Sequence, residues 1–201
     1  MARLLLIRHG RTRLHKDDRF WGKTDIPLSI IGIKQAGHLR DRLAAEKITA
    51  VYSSTLSRAR VTAEIIAAGH KLEVKPSAEL CECNFGYIEG LTYPEIKRLY
   101  PSLAEELNDR TAVTFPGGES LDQLNKRVMT FLKRLEKHKP QDTVAVIAHG
   151  GPIRLIICNL LGFEQKHWQQ LRVDLASLSI VETYPQTAIL SLLNDTSHLK
   201  Q

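Results

Sequence analysis

Cysteine is scarce in this 201-residue chain: Cys81, Cys83 and Cys158 are an odd number, so a disulfide framework is not expected. No stretch approaches the roughly 18 consecutive apolar residues of a membrane span. The apolar run near the start is only four residues long before Arg8-His9-Gly10, too short for a secretory signal. These absences lead us to expect a cytoplasmic protein with no membrane partner. Lys and Arg outnumber Asp and Glu, 28 to 22, and the formal charge of +6 suits an anionic partner. The basic residues never form a run of five, and the aromatic residues do not interleave with them as stacking platforms would, so nucleic acid is not expected as a partner. Internal repeats, linkers and low-complexity tracts are also missing, and residues 1–201 read as one domain able to bury a sizeable core. Oligomeric state leaves no pattern, and a homo-oligomer stays open.

What the chain does contain is two strand-like apolar runs that each end in His-Gly, Leu4 to Gly10 and Thr143 to Gly150. A short continuous apolar run is how a buried parallel strand reads, and in α/β folds ligands bind at the carboxyl ends of such strands. A long polar and aromatic loop, residues 10–28, follows the first run. Ser29 offers an N-cap to a helix with Ile33, Ala36, Leu39 and Leu43 at helical spacing. A strand at Ala50–Ser53 and a helix capped by Ser57, carrying Arg58, Thr62, Ile65 and Ile66, come next. Leu72–Val74 reads as a strand. Thr92 and Glu95 form a capping box around Pro94, opening a helix through Tyr100, and Ser120 and Gln123 form another after Pro116-Gly117-Gly118. That second helix has Leu121, Leu124, Val128, Phe131 and Leu135 as its apolar face. Pro152 is placed as the first residue of a helix after the second His-Gly, and Leu178–Thr183 with Ala188–Leu193 form an edge hairpin. Strands alternating with helices predict a three-layer α/β/α sandwich with a mostly parallel sheet and an antiparallel edge hairpin.

The chemistry concentrates at the two strand ends. A neutral imidazole can attack phosphorus and split a difficult displacement into two easier steps, which makes His9 the first candidate. Arg8 is its neighbour, and Arg58 falls in the first turn of a helix whose free N–H groups also favour an anion. Guanidinium forks match phosphate oxygens. His149 precedes Gly150-Gly151, at another helix start. A leaving alkoxide needs a proton, and Glu82, between Leu80 and Phe85, is the best-placed acid by context, although spacing alone does not separate it from Glu79, Glu89 or Glu119. The remaining histidines, His15, His38, His70, His138, His167 and His198, read as structural. A metal site is not expected, because Cys81-x-Cys83 without a second pair is poor ligand spacing, and no cofactor is implied. Gly117-Gly118-Glu119-Ser120 reads by default as a helix start.

Several motifs, taken together and in order, resemble the histidine phosphatase superfamily, also called phosphoglycerate-mutase-like. Arg8-His9-Gly10 with Thr12 is similar to its N-terminal signature, whose histidine is phosphorylated. Ser54 to Ala59 with Thr62-Ala63 resembles its second motif, which places the phosphoryl-binding arginine on Arg58. Leu80-Cys81-Glu82 with Phe85-Gly86 resembles the proton-donor segment, and Ala148 to Gly151 that of the second histidine. The resemblance spans residues 3 to about 199. It implies metal-independent hydrolysis of a small-molecule phosphate ester through phosphohistidine, with His9, Glu82, Arg8, Arg58 and His149 as the catalytic set. It also implies a binding set that adds Gly10, Arg11, Thr12, His15, Trp21, Gly22, Gly150 and Gly151. Arg11 and His15 depart from the family, which usually has Glu or Gln and Asn there. Within the phosphatase branch the length and motifs are most similar to the α-ribazole-5′-phosphate phosphatases of cobalamin biosynthesis. The cofactor-dependent phosphoglycerate mutases carry a longer insertion and an arginine pair that this chain lacks. A phosphate-recognition module without turnover is the reading from another class.

Overall fold

The protein's structure, a computed structural model, describes residues 2–14, 19–109 and 113–200. In chain order it forms β1 (Arg3–Arg8), α1 (Ile30–Arg42), β2 (Ile48–Ser53), α2 (Ser57–His70), β3 (Val74–Pro76), α3 (Tyr93–Leu99) and α4 (Pro101–Asp109). It continues with α5 (Leu121–Leu135), β4 (Thr143–Ala148), α6 (Gly150–Leu161), β5 (Leu178–Thr183) and β6 (Ala188–Asp195). The six strands make one sheet in the order β3-β2-β4-β1-β5-β6. β1, β2, β3 and β4 run parallel, whereas β5 is antiparallel to both β1 and β6. The expected edge hairpin is therefore β5–β6.

Each strand has two faces to bury, and the helices divide accordingly. Leu4, Leu6, Val144 and Val146 face one cluster with Leu124, Val128 and Phe131 of α5 and Ile153, Ile156 and Ile157 of α6. Leu5, Ile7, Ala145 and Ile147 face the other, with Leu39 of α1 and Ala59, Ala63 and Ile66 of α2. All six residues of β4 are buried, which is why its sequence is an unbroken apolar run instead of an alternation. The chain leaves β1 toward α1 on one face and leaves β4 toward α6 on the other. Two adjacent parallel strands whose connections part in this way open a crevice at their carboxyl ends, and His9 and His149 stand there.

Local signals held at Ser29, whose side chain accepts from the Gly32 N–H, and at both capping boxes, Thr92–Glu95 and Ser120–Gln123. Four details differ. Ser57 is the first helical residue, not the cap; Asp25 reaches across to accept from its N–H at 2.8 Å and its hydroxyl at 2.7 Å. Pro152 is the third residue of α6, still within the turn that needs no intrahelical donor. β3 begins at Val74 because Leu72 still donates to the Ala67 carbonyl to close α2. Ile33 is 49% exposed, its expected inward place being taken by Gly32. The helix α4 had no sequence signal.

Gly32 lies so close to the 10–28 loop that a Cβ there would meet the Arg11 carbonyl oxygen at 2.1 Å, whereas a Cβ at Gly37, in the same helix, would meet nothing within 4 Å. We expect Gly32→Ala to lower unfolding free energy by about 1–3 kcal/mol through overpacking. Gly37→Ala is expected to raise it by roughly 0.5–1 kcal/mol through helix propensity. Urea denaturation of the two variants tests the pair of opposite signs.

Candidate active site

The β1–β4 pairing runs past the strand ends: the His9 N–H donates to the Ala148 carbonyl at 3.1 Å. The two imidazoles that follow come to 4.9 Å between centroids, edge to face. His9 is 6% exposed and its Nδ1 lies 2.8 Å from the Gly10 carbonyl oxygen. A carbonyl can only accept, so Nδ1 carries a proton, and in the neutral ring the lone pair is then on Nε2, the nucleophilic atom. His149 is wholly buried. Its Nε2 lies 2.8 Å from Ser54 Oγ, and its Nδ1 has no hydrogen-bond partner among the described residues. Burial, then the neighbouring His9, Arg58 and Arg8, holds this imidazole well below its usual 6.5, so it is neutral. A short segment before β5 buttresses the other side of His9. Ala176 donates to the His9 carbonyl at 3.0 Å from a left-handed backbone, φ 56°, and Val173 offers its carbonyl to Arg8 Nη1 at 2.7 Å.

Cations surround the imidazoles. Arg58 is 2% exposed and uses Nη1 and Nη2 on the carbonyls of Thr24 and Gly22, at 2.9 and 2.7 Å. It thereby fastens the 10–28 loop over the crevice. Arg154, one turn into α6, donates Nε to the Leu171 carbonyl at 2.8 Å and lies over the Trp168 ring. Burial lowers the pKa of Arg8, Arg58 and Arg154, and for each the largest opposing influence is the charge of Glu82. Glu82 is 7% exposed, its Oε1 accepting from the N–H of Cys83 at 2.9 Å and of Gly151 at 3.1 Å. It thus sits against the N-terminus of α6, where free N–H groups welcome an acceptor. Gly151 must be glycine here: a Cβ would come within 2.5 Å of Glu82 Oε1.

These groups form the floor of a cavity of about 780 Å³. Arg8, His9, Thr12, Trp21, Arg58, Glu82, Gly150 and Gly151 line it, as do Phe20, Phe85, Tyr93, Phe115 and Trp168 farther out. His149 stands behind His9. Gly10, Arg11 and Gly22 do not line it. The main chain of Arg11 is tied to α1 and its cap, its N–H on Gln35 Oε1 and its carbonyl accepting from Ser29, while Gly10 packs against Gly32. His15 lies outside the described residues. The other described histidines are away from the cavity, and among the described residues no three His, Cys, Asp or Glu side chains are grouped as metal ligands. Sequence reading missed Arg154, Trp168 and Asp174, and it named Ser54 only as part of the second motif, without a role. Of the first three only Arg154 left a trace, a basic residue one turn after the second His-Gly.

The family model of the histidine phosphatase superfamily, branch 1, matches residues 4–196. The chain belongs to this superfamily. Phosphoserine phosphatase 1 of Hydrogenobacter thermophilus is 33% identical, covering 99% of this chain and 95% of that protein. The adenosylcobalamin/α-ribazole phosphatase of Escherichia coli is 30% identical over 96% and 95%. A solved mycobacterial glucosyl-3-phosphoglycerate phosphatase superimposes with TM-score 0.88 at 28% identity, over 98% of this chain and 100% of that one. This histidine phosphatase is accordingly a phosphoric monoester hydrolase. No helix among its described residues is long and apolar enough to cross a membrane.

His149 is neutral in the fold and gains a proton only when the chain unfolds. Below about 6.5 the unfolded state then binds more protons than the native one, and stability falls as pH falls. His138 and His198, whose values are also lowered by burial, add in the same direction. Denaturation measured from about pH 7 down to about pH 5 is expected to show this slope. His149→Gln should reduce it by up to ~1.4 kcal/mol per pH unit, one proton's worth.

Proposed function

We propose that this histidine phosphatase hydrolyses a small phosphate ester without metal, through a phosphohistidine on His9. The observation that carries the reading is the Nδ1–H bond of His9 to the Gly10 carbonyl, which leaves Nε2 as the basic atom at the cavity floor. Glu82 takes up a proton as the anionic ester enters, Nε2 attacks phosphorus, the ester oxygen departs with that proton, and the phosphoryl group rests on His9. Water then attacks phosphorus, Glu82 takes its proton, the P–N bond breaks and phosphate leaves. Arg8 and Arg58 neutralise the phosphoryl oxygens. Ser54 Oγ accepts from the Leu56 N–H at 3.2 Å, lies 3.5 Å from Cys81 Sγ and 2.8 Å from His149 Nε2, and so fixes the ring that backs His9. Preorganised donors such as the two guanidinium groups stabilise the charge that builds on a transferring phosphoryl group.

The outer wall supports an aromatic leaving group. Phe20, Trp21, Phe85 and Tyr93, the less buried of the aromatic residues that line the cavity, can meet a planar ring. α-Ribazole 5′-phosphate has that character, and the E. coli relative carries its name. O-phosphoserine, the ester named in the Hydrogenobacter relative, has no planar ring to fill this space, and its charged groups would look to Arg19, Gln169 and Asp174, which line the same cavity.

His9→Ala is expected to lose on the order of 10⁴-fold in hydrolysis of p-nitrophenyl phosphate and Arg58→Ala about 10²–10³-fold. Excess chelator should leave wild type unchanged. Absence of hydrolysis across a substrate panel would favour a binding module, and efficient conversion of 3-phosphoglycerate with added 2,3-bisphosphoglycerate would favour a mutase. Over the same panel, kcat/KM for α-ribazole 5′-phosphate is expected to exceed that for O-phosphoserine at least about tenfold, the scale of one well-filled apolar contact. The reverse order would replace the substrate assignment.

A further inference from the structure

The Glu119 of the Gly-Gly-Glu-Ser turn, which by default reads as a helix start and is one of the acids that spacing does not separate from Glu82, takes part in a clamp on the loop that carries Glu82. Arg127, in the second turn of α5, has five N–H donors and five acceptors. Nε and Nη2 bind the two carboxylate oxygens of Glu119 at 2.8 and 3.0 Å. Nη1 binds the carbonyls of Glu79 and Cys81, at 2.8 and 2.6 Å, and Nη2 also binds the carbonyl of Glu82 itself at 2.9 Å. A guanidinium with every donor used has a single orientation, and it transfers that orientation to the peptide groups it holds. Glu119 continues the clamp on the far side of the acid. Its Oε2 accepts from the Asn84 N–H at 2.8 Å and its own N–H donates to the Asn84 carbonyl at 2.8 Å. The two loops touch backbone to backbone because Gly86 and Gly118 carry no side chain. A Cβ on either would come within 2.1 Å of a carbonyl oxygen of the opposite loop.

The carboxylate of Glu82 is located from its other end by the N–H groups of Cys83 and Gly151. Its main chain has no regular secondary structure to fix it: residues 81–85 lie between two short 3₁₀ turns, Ala78–Leu80 and Gly86–Ile88. We propose that Arg127 and Glu119 are positioning residues for proton transfer by Glu82, setting where its carboxyl group meets the ester oxygen. Neither residue lines the cavity, so their action on the substrate runs through the loop. The inference rests on the role given to Glu82 above.

The test uses two esters. The p-nitrophenolate of p-nitrophenyl phosphate leaves without a proton, whereas the alkoxide of 2-phenylethyl phosphate needs one, so misplacing the acid slows the second selectively. Arg127→Gln is expected to reduce kcat/KM, which covers only the steps through departure of the leaving group, by about 10²-fold for the alkyl ester, the lower end of what general acid catalysis contributes. Its kcat/KM for the nitrophenyl ester should change less than about fivefold, whereas kcat also contains the water attack on phosphohistidine that both esters share. Glu119→Gln keeps the side-chain volume, removes the charge and is expected to shift the same ratio in the same direction, so the test survives if Arg127→Gln fails to fold. Glu82→Gln, measured alongside, sets the reference. If it discriminates between the esters and a soluble Arg127 or Glu119 variant does not, the positioning role is overturned. If Glu82→Gln itself does not discriminate, the assignment of the acid fails first. Equal losses on both esters for the Arg127 variant would mark a merely structural residue and would also overturn the proposal.

Discussion

Gathering positive charge in a cleft with little water is costly unless a negative group shares the space. Here Arg8, Arg58 and Arg154 converge on the floor of one cavity, and the Glu82 carboxylate is the leading favourable charge for all three. The rest of the site follows from that arrangement. Each guanidinium is held by main-chain carbonyls, which relieve its desolvation without cancelling its charge. The neighbouring imidazole of His149 stays neutral, first because it is wholly buried and then because cations already surround it. An incoming phosphate ester brings the missing negative charge, and it does so beside His9 and Glu82.

The carbonyl contacts of Arg58 also explain how a long irregular loop becomes part of a rigid pocket. Residues 19–25 have no secondary structure, yet they are tied at several points to elements outside the segment. Phe20 exchanges main-chain bonds with Leu91 and Gly90, Glu89 accepts from Lys23 and Thr24, and Asp25 caps α2. Phe20 and Trp21 are thereby presented to the cavity by a framework of backbone bonds, so the side chains there can change without loss of the fold. Relatives with this fold are named for esters as different as phosphoserine and glucosyl-3-phosphoglycerate, which accords with a constant floor and a variable wall.

How far the sequence could be read depended on how local the information was. Capping boxes at Thr92 and Ser120 and the buried strands ending at His9 and His149 are written in consecutive residues, and they were legible. Arg58 and Arg60 illustrate the limit. They are two positions apart on one helix, and spacing does not distinguish them. Arg58 is almost wholly buried under the loop, whereas Arg60 is exposed in an i,i+4 pair with Glu64. Motif resemblance chose Arg58; residue chemistry alone could not. Trp168 and Asp174 come from the connection between α6 and β5, and their place at the cavity depends on how two distant elements dock. Arg127 reads as an ordinary helix charge until the 79–82 loop folds over it.

The one-to-one register of β1 with β4, Arg8 opposite Ala148, has a consequence for how such a protein can diverge. Side chains alternate between sheet faces with a period of two, so adding or deleting one residue within either strand would turn one imidazole away from the other. Substitution can alter these strands gradually, exchanging one aliphatic for another, but a change of length there destroys the histidine pair in a single step. Insertions and deletions are therefore confined to the loops beyond the strand ends, where they reshape the cavity wall. Lineages of this fold can acquire new leaving groups by changing loop length, while the phosphoryl-transfer site stays tied to strand register.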